Sequence, residues 1–339
     1  MKSNVYRMLG PKNLKMEEEE IDINSISPTD IVGKTIVSIV SPGTEIAAYI
    51  GAPPLRPMKV YPRVNGYCNV AEVIAVGSEV KNIKLGDRVS THQSHRSSFC
   101  CDASAVNNVL RRDDDAIAQA TSYLWHLGYY PLLRANAKPG SNVLVIGLGA
   151  LGLSAVASAA LSGCNVIAIS NRKFARNKAI ILGAKSVYEN KDISAMNKWS
   201  VDATFGVGVD LVITTSNSWK DWKTALEIVR DGGDIAIVGF PGRGLSSSEF
   251  NPLDSRYIYD KELTIFACGN PSSCDVTPRD IRFNLKRNYL FLGDMIRQNR
   301  LPALEIVTET INWRELDAVY QRMESRESEL ITVALDWTR

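Results

Sequence analysis

Two patterns of hydrophobic and polar positions divide the chain near residue 120. Before it, short runs of apolar and polar residues are separated by Gly, Pro and Asn, which is typical of strands joined by irregular loops. The clearest of these runs are Thr35–Val40, Val70–Val76 and Arg88–Ser90, and the proline-rich segment Pro53–Pro57 is predicted to be a loop. The first part of the chain is therefore predicted to be rich in β-structure.

A different pattern begins at Val143, where short β-branched runs alternate with helical patterns. This alternation predicts a parallel sheet with helices between its strands. Strands are expected at Val143–Ile146, Val166–Ser170, Ser186–Tyr188, Leu211–Thr214, Ile235–Val238 and Leu263–Ala267. Their number and arrangement match a doubly wound dinucleotide-binding sheet, so the predicted fold class is α/β.

Two helices are predicted from apolar residues spaced three or four apart. The first follows the fourth strand of the sheet, with a stripe formed by Trp219, Trp222, Leu226 and Val229. The second follows a loop predicted at Pro271–Pro278, with a stripe formed by Ile281, Leu285, Leu292 and Ile296. Both stripes indicate packing against a core, and the chain ends in a strand predicted at Leu330–Trp337.

Composition narrows the class of protein. The 339 residues suggest two domains, and the contents of 45% hydrophobic and 22% charged residues are ordinary for a soluble globular chain. The net charge of +2 gives no reason to bind nucleic acid or an anionic membrane, and the acidic run Glu17–Glu20 is predicted to be a solvated face. The start of the chain lacks the apolar core of a signal peptide, and no uncharged stretch approaches the roughly 20 apolar residues of a membrane span. We expect a cytoplasmic protein without nucleic-acid or membrane partners.

The cysteines do not form a recognisable metal or disulfide pattern. There are six, at positions 68, 100, 101, 164, 268 and 274, and none form a CxxC pair. Close spacing is what a four-cysteine structural zinc site needs, so such a site is disfavoured and free thiols are expected.

The strongest motif is a glycine-rich turn directly after the strand Val143–Ile146. It consists of Gly147, Leu148, Gly149, Ala150, Leu151 and Gly152, and a helix of small and apolar residues follows it. In such a turn the first glycine permits the tight bend, the second lets a pyrophosphate approach the backbone, and the third allows close packing of helix on strand. Within a strand–turn–helix unit the motif predicts dinucleotide binding. The alternative is a glycine-rich turn that has lost its ligand.

The end of the second strand indicates which dinucleotide is bound. NAD-specific sites usually place Asp or Glu there, whereas this strand ends in Ser170, Asn171, Arg172 and Lys173. Cationic and hydroxyl donors can bind the 2′-phosphate that a carboxylate would repel. The cofactor is therefore predicted to be NADP(H); the alternative is that Arg172 and Lys173 are solvated residues at a helix start.

Several further stretches resemble the medium-chain dehydrogenase/reductase superfamily. They are Val76–Val80 leading to Gly86–Val89, Lys138-Pro139-Gly140, Leu182-Gly183-Ala184, and Gly232-Gly233 before Ile235–Gly239. The resemblance implies a GroES-like, β-rich catalytic domain at residues 1–122 and 270–339 and a six-stranded Rossmann domain at residues 123–269. It also implies that Gly239 belongs to the cofactor site, and that the strand Leu263–Ala267 pairs with its twin in a homodimer.

The sequence departs from this family where zinc-dependent members have their metal ligands. The resemblance aligns Pro42 of Ser41–Glu45 with the first thiolate, and Tyr67 of Gly66–Cys68 with the histidine ligand. The four-cysteine lobe of such relatives is missing, because Ser90–Val106 is too short for it. Proline and a neutral phenol are not zinc ligands, so no metal is predicted. The alternative is an improvised site made of Cys68, Cys100, Cys101, His92 and His95.

Without a metal, hydrogen-bond donors must stabilise and protonate the developing alkoxide. Tyr67 is the first candidate because the resemblance places it where the metal ligand would be; the alternative is that Tyr67 is a structural residue. Thr44 matches the hydroxyl residue of the family's proton relay. His92 and His95 lie in a loop that borders the substrate cleft in this family, and histidine is the natural proton shuttle near neutral pH. The alternative for both histidines is an incidental place in a surface loop.

The predicted function is hydride transfer between NADP(H) and an alcohol or carbonyl substrate. The Ser41–Glu45 variant also resembles that of bacteriochlorophyllide-type hydroxyethyl dehydrogenases, which favours alcohol chemistry. Two alternatives are open. One is NADPH-dependent reduction of a conjugated C=C bond with Tyr67 or Tyr49 as the donor, and the other is an NADPH-binding protein without turnover. Pocket loops are expected at Ile50–Val60 and Asn270–Cys274, and their shapes do not follow from the sequence.

Overall fold

The computed structural model describes residues 1–55, 61–190, 193–269 and 284–339. The strands, in chain order, are β1 (Lys2–Gly10), β2 (Asn13–Glu20), β3 (Asp30–Ile39), β4 (Arg63–Val64), β5 (Asn69–Val76), β6 (Arg88–Thr91), β7 (Ser98–Asp102), β8 (Val106–Val109), β9 (Asn142–Ile146), β10 (Asn165–Ile169), β11 (Ser186–Tyr188), β12 (Val209–Thr214), β13 (Val229–Ile237), β14 (Thr264–Ala267), β15 (Val307–Asn312) and β16 (Thr332–Asp336). The α-helices are α1 (Pro42–Ile50), α2 (Ala116–Ala120), α3 (Ser122–Arg134), α4 (Ala150–Leu161), α5 (Lys173–Ile181), α6 (Ile193–Ala203), α7 (Trp219–Ile228), α8 (Ser255–Ile258), α9 (Leu285–Arg297) and α10 (Leu316–Glu324).

Some sequence predictions fall outside these residues. They are the loops at Pro271–Pro278 and Asn270–Cys274, the position of Ile281, and the later part of the loop Ile50–Val60. Across the described ranges, no helix is long and apolar enough to cross a membrane.

The chain divides into two compact units. The first comprises Met1–Tyr123, Asn284–Asn299 and Val307–Arg339, and the second Leu124–Phe283 and Arg300–Ile306. The first unit's leading segment ends at residue 123, one residue after the domain boundary that the sequence predicts. The structure groups Arg300–Ile306 with the second unit, whereas the sequence-based division places it in the terminal domain.

The first unit is built on two sheets. The larger has the strand order β15-β16-β3-β5-β6-β8, with β7 paired to β3, and the smaller has the order β2-β1-β4. One core cluster of this unit is rich in large aromatic rings, among them Tyr6, Tyr49, Trp313, Tyr320 and Trp337. This apolar packing surrounds the polar groups that are described below.

The hairpin of β1 and β2 was not predicted. The run Glu17–Glu20, expected to be only a solvated face, lies in β2 opposite β1. Arg7 of β1 bonds Glu17 and Glu19 at 2.7 Å each. Cross-strand pairing of opposite charges supports the hairpin, although exposed pairs of this kind contribute at most about 1 kcal/mol each.

The second unit contains the predicted doubly wound sheet. Its strand order is β11-β10-β9-β12-β13-β14, and every pair in it is parallel. The first strand, β9, lies between β10 and β12, so the order reverses at its carboxyl end. That reversal is where doubly wound sheets bind their ligands.

The helical stripe after β12 is confirmed with one correction. Trp222 and Leu226 of α7 are buried in the core of the sheet, and Trp219 packs against the same cluster. Val229, however, is the first residue of β13, where it pairs with Val209 of β12. Its β-branched side chain suits the strand, and the helix therefore ends one residue earlier.

Candidate functional site

The glycine turn between β9 and α4 has the geometry that the sequence predicts. Gly147 has φ +88°, a left-handed conformation that side chains disfavour. A Cβ at Gly152 would lie 1.8 Å from the carbonyl oxygen of Gly147, so only glycine permits this packing of helix on turn. The buried side chain of Leu148 anchors the turn between these two positions.

The outer side of this turn is open to a ligand. Gly149 is exposed and is the N-cap residue of α4. It has no side chain to cap the helix, and a Cβ there would meet no atom of the described residues within 4 Å. The first N–H groups of a helix attract anions, and here they follow an unobstructed glycine. The turn Gly147–Gly152, with Ala150 and Leu151 in the first turn of α4, therefore fits the pyrophosphate of a dinucleotide.

Gly239 follows β13 at the same edge of the sheet. A Cβ there would lie 2.5 Å from the carbonyl oxygen of Thr215, which follows β12. The segments that follow β12 and β13 thus approach so closely that packing alone accounts for a glycine here. Its predicted place in the cofactor site stays a prediction.

Cationic side chains gather where β10 ends and α5 begins. The Ser170 hydroxyl accepts the Arg172 N–H at 3.2 Å, and Arg176 donates to the Ser170 carbonyl oxygen at 2.6 Å. Lys173 is exposed in the first turn of α5, which contains no acidic residue. Burial lowers the pKa of the Arg172 guanidinium, because desolvation disfavours its charge.

Among the described residues, the Glu189 carboxyl group lies beside this cluster. Glu189, just after β11, is 3.5 Å from Arg176, and this contact balances the Arg176 charge. Arg172, Lys173 and the exposed Asn171 are the other residues here that the sequence predicts to bind a 2′-phosphate.

In the first unit, Tyr67 is held at the start of α1. Its hydroxyl donates to the Ser41 Oγ at 2.5 Å, and Ser41 is the N-cap of that helix. Burial raises the pKa of Tyr67 far above its usual value, while hydrogen bonding with the Ser41 and Thr44 side chains acts in the opposite direction. The phenol is therefore protonated at neutral pH and can act as a hydrogen-bond donor.

His92 lies against Tyr67 within an aromatic cluster. Its Nδ1 donates to the Tyr67 carbonyl oxygen at 3.1 Å, so its Nε2 accepts the hydroxyl of Tyr289 at 3.3 Å when the ring is neutral. Tyr123 packs edge-on against both Tyr67 and His92, at ring distances of 5.2 and 4.7 Å. Desolvation lowers the pKa of His92 below 6.5, which favours the neutral ring.

His95 is placed differently from the prediction. Its side chain is fully buried, with Nε2 2.9 Å from Glu45 and Nδ1 2.8 Å from Ser38. The alternative of an incidental place in a surface loop is wrong for this residue, and its imidazole is also not available as the predicted proton shuttle, because the segment between β6 and β7 folds it into the core. We therefore remove His95 from the candidate proton donors.

Tyr49 is equally unsuited to act on a substrate. It is 2% exposed, and its ring packs edge-on against Tyr320 at 5.2 Å. Of the two tyrosines considered for C=C reduction, only Tyr67 keeps exposed surface.

The donor groups of the first unit do not fit a catalytic zinc ion. Within the described ranges, no three His, Cys, Asp or Glu side chains gather in a way that could hold a metal. The improvised cysteine–histidine site is therefore not formed: Cys100 bonds Asp30, and His92 and His95 bond the partners given above. Burial raises the pKa of Cys68 well above 9 and that of Cys101 to about 12, which disfavours the thiolates that zinc requires.

Sequence reasoning missed Ser41, Tyr123, Tyr289 and Arg176. Tyr289 is separated from His92 by 197 positions, and nothing in its helical pattern distinguishes it from a core residue. Ser41 was detectable, because a serine directly before a proline is a common helix start.

Comparisons with known proteins agree with this architecture. The family model described as zinc-binding dehydrogenase matches residues 150–282. Sorbitol dehydrogenase of Bacillus subtilis is 28% identical over 60% of this chain and 65% of its own length. The NADP-dependent isopropanol dehydrogenase of Thermoanaerobacter brockii is 29% identical over 53% of this chain and 61% of its own length. The match thus spans less than two thirds of either relative.

A solved structure extends the likeness to the whole chain. The 2R,3R-butanediol dehydrogenase of Bacillus subtilis superposes with a TM-score of 0.80, covering 98% of this chain and 99% of the other. Its sequence identity is 18%, so this comparison shows a shared fold.

Proposed function

Because the chain belongs to the medium-chain dehydrogenase/reductase superfamily, we propose that it transfers a hydride between NADP(H) and a small alcohol or carbonyl substrate without a metal ion. The observation that carries this proposal is the protonated Tyr67 hydroxyl, held by Ser41 in the position where the family resemblance implies a metal ligand. A neutral donor of this kind can stabilise a developing oxyanion.

The choice of NADP(H) rests on the end of β10. Arg172, Lys173 and Ser170 supply cationic and hydroxyl donors, and the first turn of α5 contains no acid. One relative that this chain resembles carries NADP dependence in its name. A 2′-phosphate would gain charge-assisted hydrogen bonds here, and NADH has no group to form them.

The steps assigned to the chain concern positioning and proton transfer. The Gly147–Gly152 turn would hold the pyrophosphate of NADPH, and the bound cofactor would supply the hydride. When substrate binds, the Tyr67 O–H, which bonds Ser41 Oγ in this structure, turns to the substrate oxygen on which negative charge develops, and the Ser41 and Thr44 hydroxyls then donate to the phenol oxygen. Transfer of the Tyr67 proton to that oxygen completes the reduction, and the phenolate then regains a proton from solvent.

His92 and Tyr289 provide two further hydrogen-bonding groups beside Tyr67. Neutral His92 holds the Tyr289 hydroxyl and is itself fixed on the main chain of Tyr67. We assign His92 the exchange of a proton with solvent, since it keeps exposed surface while Tyr289 is 3% exposed.

No step is assigned to zinc. The matching family model is named for zinc-binding members, but Pro42 has no ligand atom, and the Tyr67 phenol is held in its protonated form by burial. A hydrogen-bond donor at Tyr67 can supply the electrostatic stabilisation that a Lewis acid would supply in a metal enzyme.

Reduction of a conjugated C=C bond is the second candidate. The same Tyr67 donor could polarise an enone carbonyl while the hydride adds at the β-carbon. A panel of ketones, aldehydes and enones with NADPH separates the two reactions, because reduction of one class without the other identifies the acceptor. Steady NADPH oxidation by either class excludes a protein that only binds the cofactor.

We further propose a homodimer. Strand β14 forms one edge of the sheet in the second unit and pairs there with β13. An open strand edge invites pairing with another chain, and a two-fold contact between two copies would cover it.

A further inference from the structure

A buried polar pair lies behind the Tyr67 site. The Glu45 side chain of α1 is 1% exposed, the His95 side chain is fully buried, and His95 Nε2 lies 2.9 Å from Glu45 Oε2. A carboxyl group removed from water costs several kcal/mol unless hydrogen bonds replace its hydration. Such a pair is a poor source of stability, because apolar residues of similar volume often serve as well.

Glu45 receives hydrogen bonds from three separate parts of the first unit. Its Oε1 accepts the Ser41 N–H at 2.7 Å, at the start of α1. Its Oε2 accepts the Tyr320 hydroxyl of α10 at 2.6 Å and the imidazole of His95. The carboxyl group therefore links the N-terminal turn of α1 to two distant segments.

The orientation of His95 is determined by its other neighbours. Trp337 Nε1–H donates to Ser38 Oγ at 2.9 Å, and the Ser38 hydroxyl lies 2.8 Å from His95 Nδ1. The Ser38 hydroxyl can donate to Nδ1 while its oxygen accepts the Trp337 Nε1–H. Nε2–H of His95 then donates to Glu45. Contacts at both ring nitrogens thus fix the orientation of the imidazole.

His95 also supports the segment that carries Tyr67. A Cβ on Gly66 would lie 2.8 Å from the imidazole, so the ring rests against the Gly66 backbone. The His95 N–H donates to the Asn65 carbonyl oxygen at 2.8 Å. One face of the pair therefore contacts Asn65 and Gly66, and the other holds Ser41, whose Oγ accepts the Tyr67 hydroxyl.

We propose that Glu45 and His95 are positioning residues that hold Ser41 and the Gly66–Tyr67 segment in register, and so aim the Tyr67 hydroxyl. This inference rests on the proposed role of Tyr67 as oxyanion donor. Misplacement of a reacting group by about 1 Å can cost about 100-fold in rate, so loss of a pair that holds Ser41 and the Gly66–Tyr67 segment should have a measurable effect.

The test combines Glu45→Gln with Tyr67→Phe in a double-mutant cycle. Glu45→Gln keeps the shape but replaces one accepting oxygen with an NH₂ group that can only donate, and we expect kcat to fall about 10- to 100-fold with an unchanged NADPH Kd. In the Tyr67→Phe background the same change should have little further effect on kcat, because the two residues act through one group. Equal falls in both backgrounds would overturn the positioning role while leaving Tyr67 as the donor.

Tyr320→Phe and Tyr6→Phe form a matched pair for the same question. Both remove one buried hydroxyl from the same core cluster, but Tyr6 bonds the Trp313 carbonyl oxygen and not Glu45. We expect Tyr320→Phe to lower kcat and Tyr6→Phe to leave it within twofold, even if both lower the melting temperature. Equal kcat in the two variants would contradict the inference, and this pair remains informative if Glu45→Gln does not fold.

Hydrogen exchange gives a readout that needs no activity. In Tyr320→Phe and Glu45→Gln we expect faster amide exchange at residues 41–45 and 65–68, with Tyr6→Phe unchanged there. Unaltered protection in both segments would show that the pair does not hold them. If instead protection is lost but Tyr67→Phe is fully active, the positioning of the segments stands and the proposed role of Tyr67 fails.

Discussion

The Tyr289 hydroxyl lies 3.3 Å from Nε2 of His92, and the opposite nitrogen of that ring bonds the Tyr67 carbonyl oxygen. A carbonyl can only accept, so Nδ1 carries the proton and the neutral ring accepts from Tyr289. Protonation of His92 would turn Nε2 into a donor and break this arrangement. The contact therefore couples the aromatic cluster to pH.

The first prediction concerns the pH dependence of stability. Desolvation lowers the pKa of His92 below its unfolded value of about 6.5, so below that pH the unfolded chain binds more protons than the folded one. The free energy of unfolding should fall as pH decreases through this window, and His92→Gln should lose less than wild type between pH 7.5 and 5.5. Urea unfolding at pH 7.5 and 5.5 measures the free energy of unfolding of wild type and of His92→Gln. Tyr289→Phe keeps the titrating ring but removes the hydroxyl that the neutral ring accepts, so its slope should lie between those of wild type and His92→Gln. Identical slopes in wild type and His92→Gln would refute the assignment.

The second prediction concerns Tyr67. Tyr67→Phe removes only the hydroxyl, and the loss of one oxyanion donor typically costs about 100- to 1,000-fold in kcat, or roughly 3–4 kcal/mol. The NADPH Kd should be unchanged, as measured by fluorescence titration. Tyr61→Phe, which removes a hydroxyl bonded to the Ala48 carbonyl oxygen, is the matched control and should keep its activity. More than half of the activity in Tyr67→Phe would make Tyr67 a structural residue.

The third prediction concerns the cofactor. Wild type should bind NADPH at least about tenfold more tightly than NADH, a difference of roughly 1.4 kcal/mol. Arg172→Ala should weaken NADPH by about 1.5–3 kcal/mol and leave NADH unchanged, because only NADPH has a 2′-phosphate for it to bind. Lys178→Ala on the same helix breaks a 2.6 Å pair with Glu305 and should alter neither affinity. Equal affinities for the two cofactors in wild type would show that Arg172 does not contact the phosphate.

The fourth prediction concerns metal. The purified protein should contain no stoichiometric zinc and should keep its turnover in strong chelator, because the residues at the implied ligand positions offer no thiolate or imidazole. Elemental analysis and assays with and without chelator provide the measurement. One zinc ion per chain together with chelator-sensitive turnover would reverse the assignment.

The fifth prediction concerns assembly. Light scattering should give about twice the chain mass of 37.3 kDa. Thr264→Lys places a charge on the exposed start of β14 and should shift the protein toward monomer, since lysine on an edge opposes strand pairing. Asn177→Lys, at an exposed site on α5, adds the same charge and should not change the mass. A monomer mass for wild type at micromolar concentration would exclude the dimer.

The sequence by itself determined the second unit and the glycine turn. A buried strand, a turn and a helix are contiguous there, so the pattern of residues 143–161 contains every group that forms Gly147–Gly152. Parallel strands buried on both faces also produce continuous apolar runs, which makes β9, β10 and β12 recognisable without knowledge of their neighbours. The acidic strand β2 shows no alternation of apolar and polar residues, so its sequence did not predict a strand.

The tertiary structure alone decided how the polar groups of the first unit are arranged. Tyr67 reaches Ser41 across 26 positions, His92 reaches Tyr289 across 197, and Glu45 reaches Tyr320 across 275. Two histidines three positions apart, His92 and His95, have opposite surroundings because the segment after β6 directs one ring to the surface and the other into the core. Local spacing carries no information about such contacts, since they depend on how distant strands and helices pack.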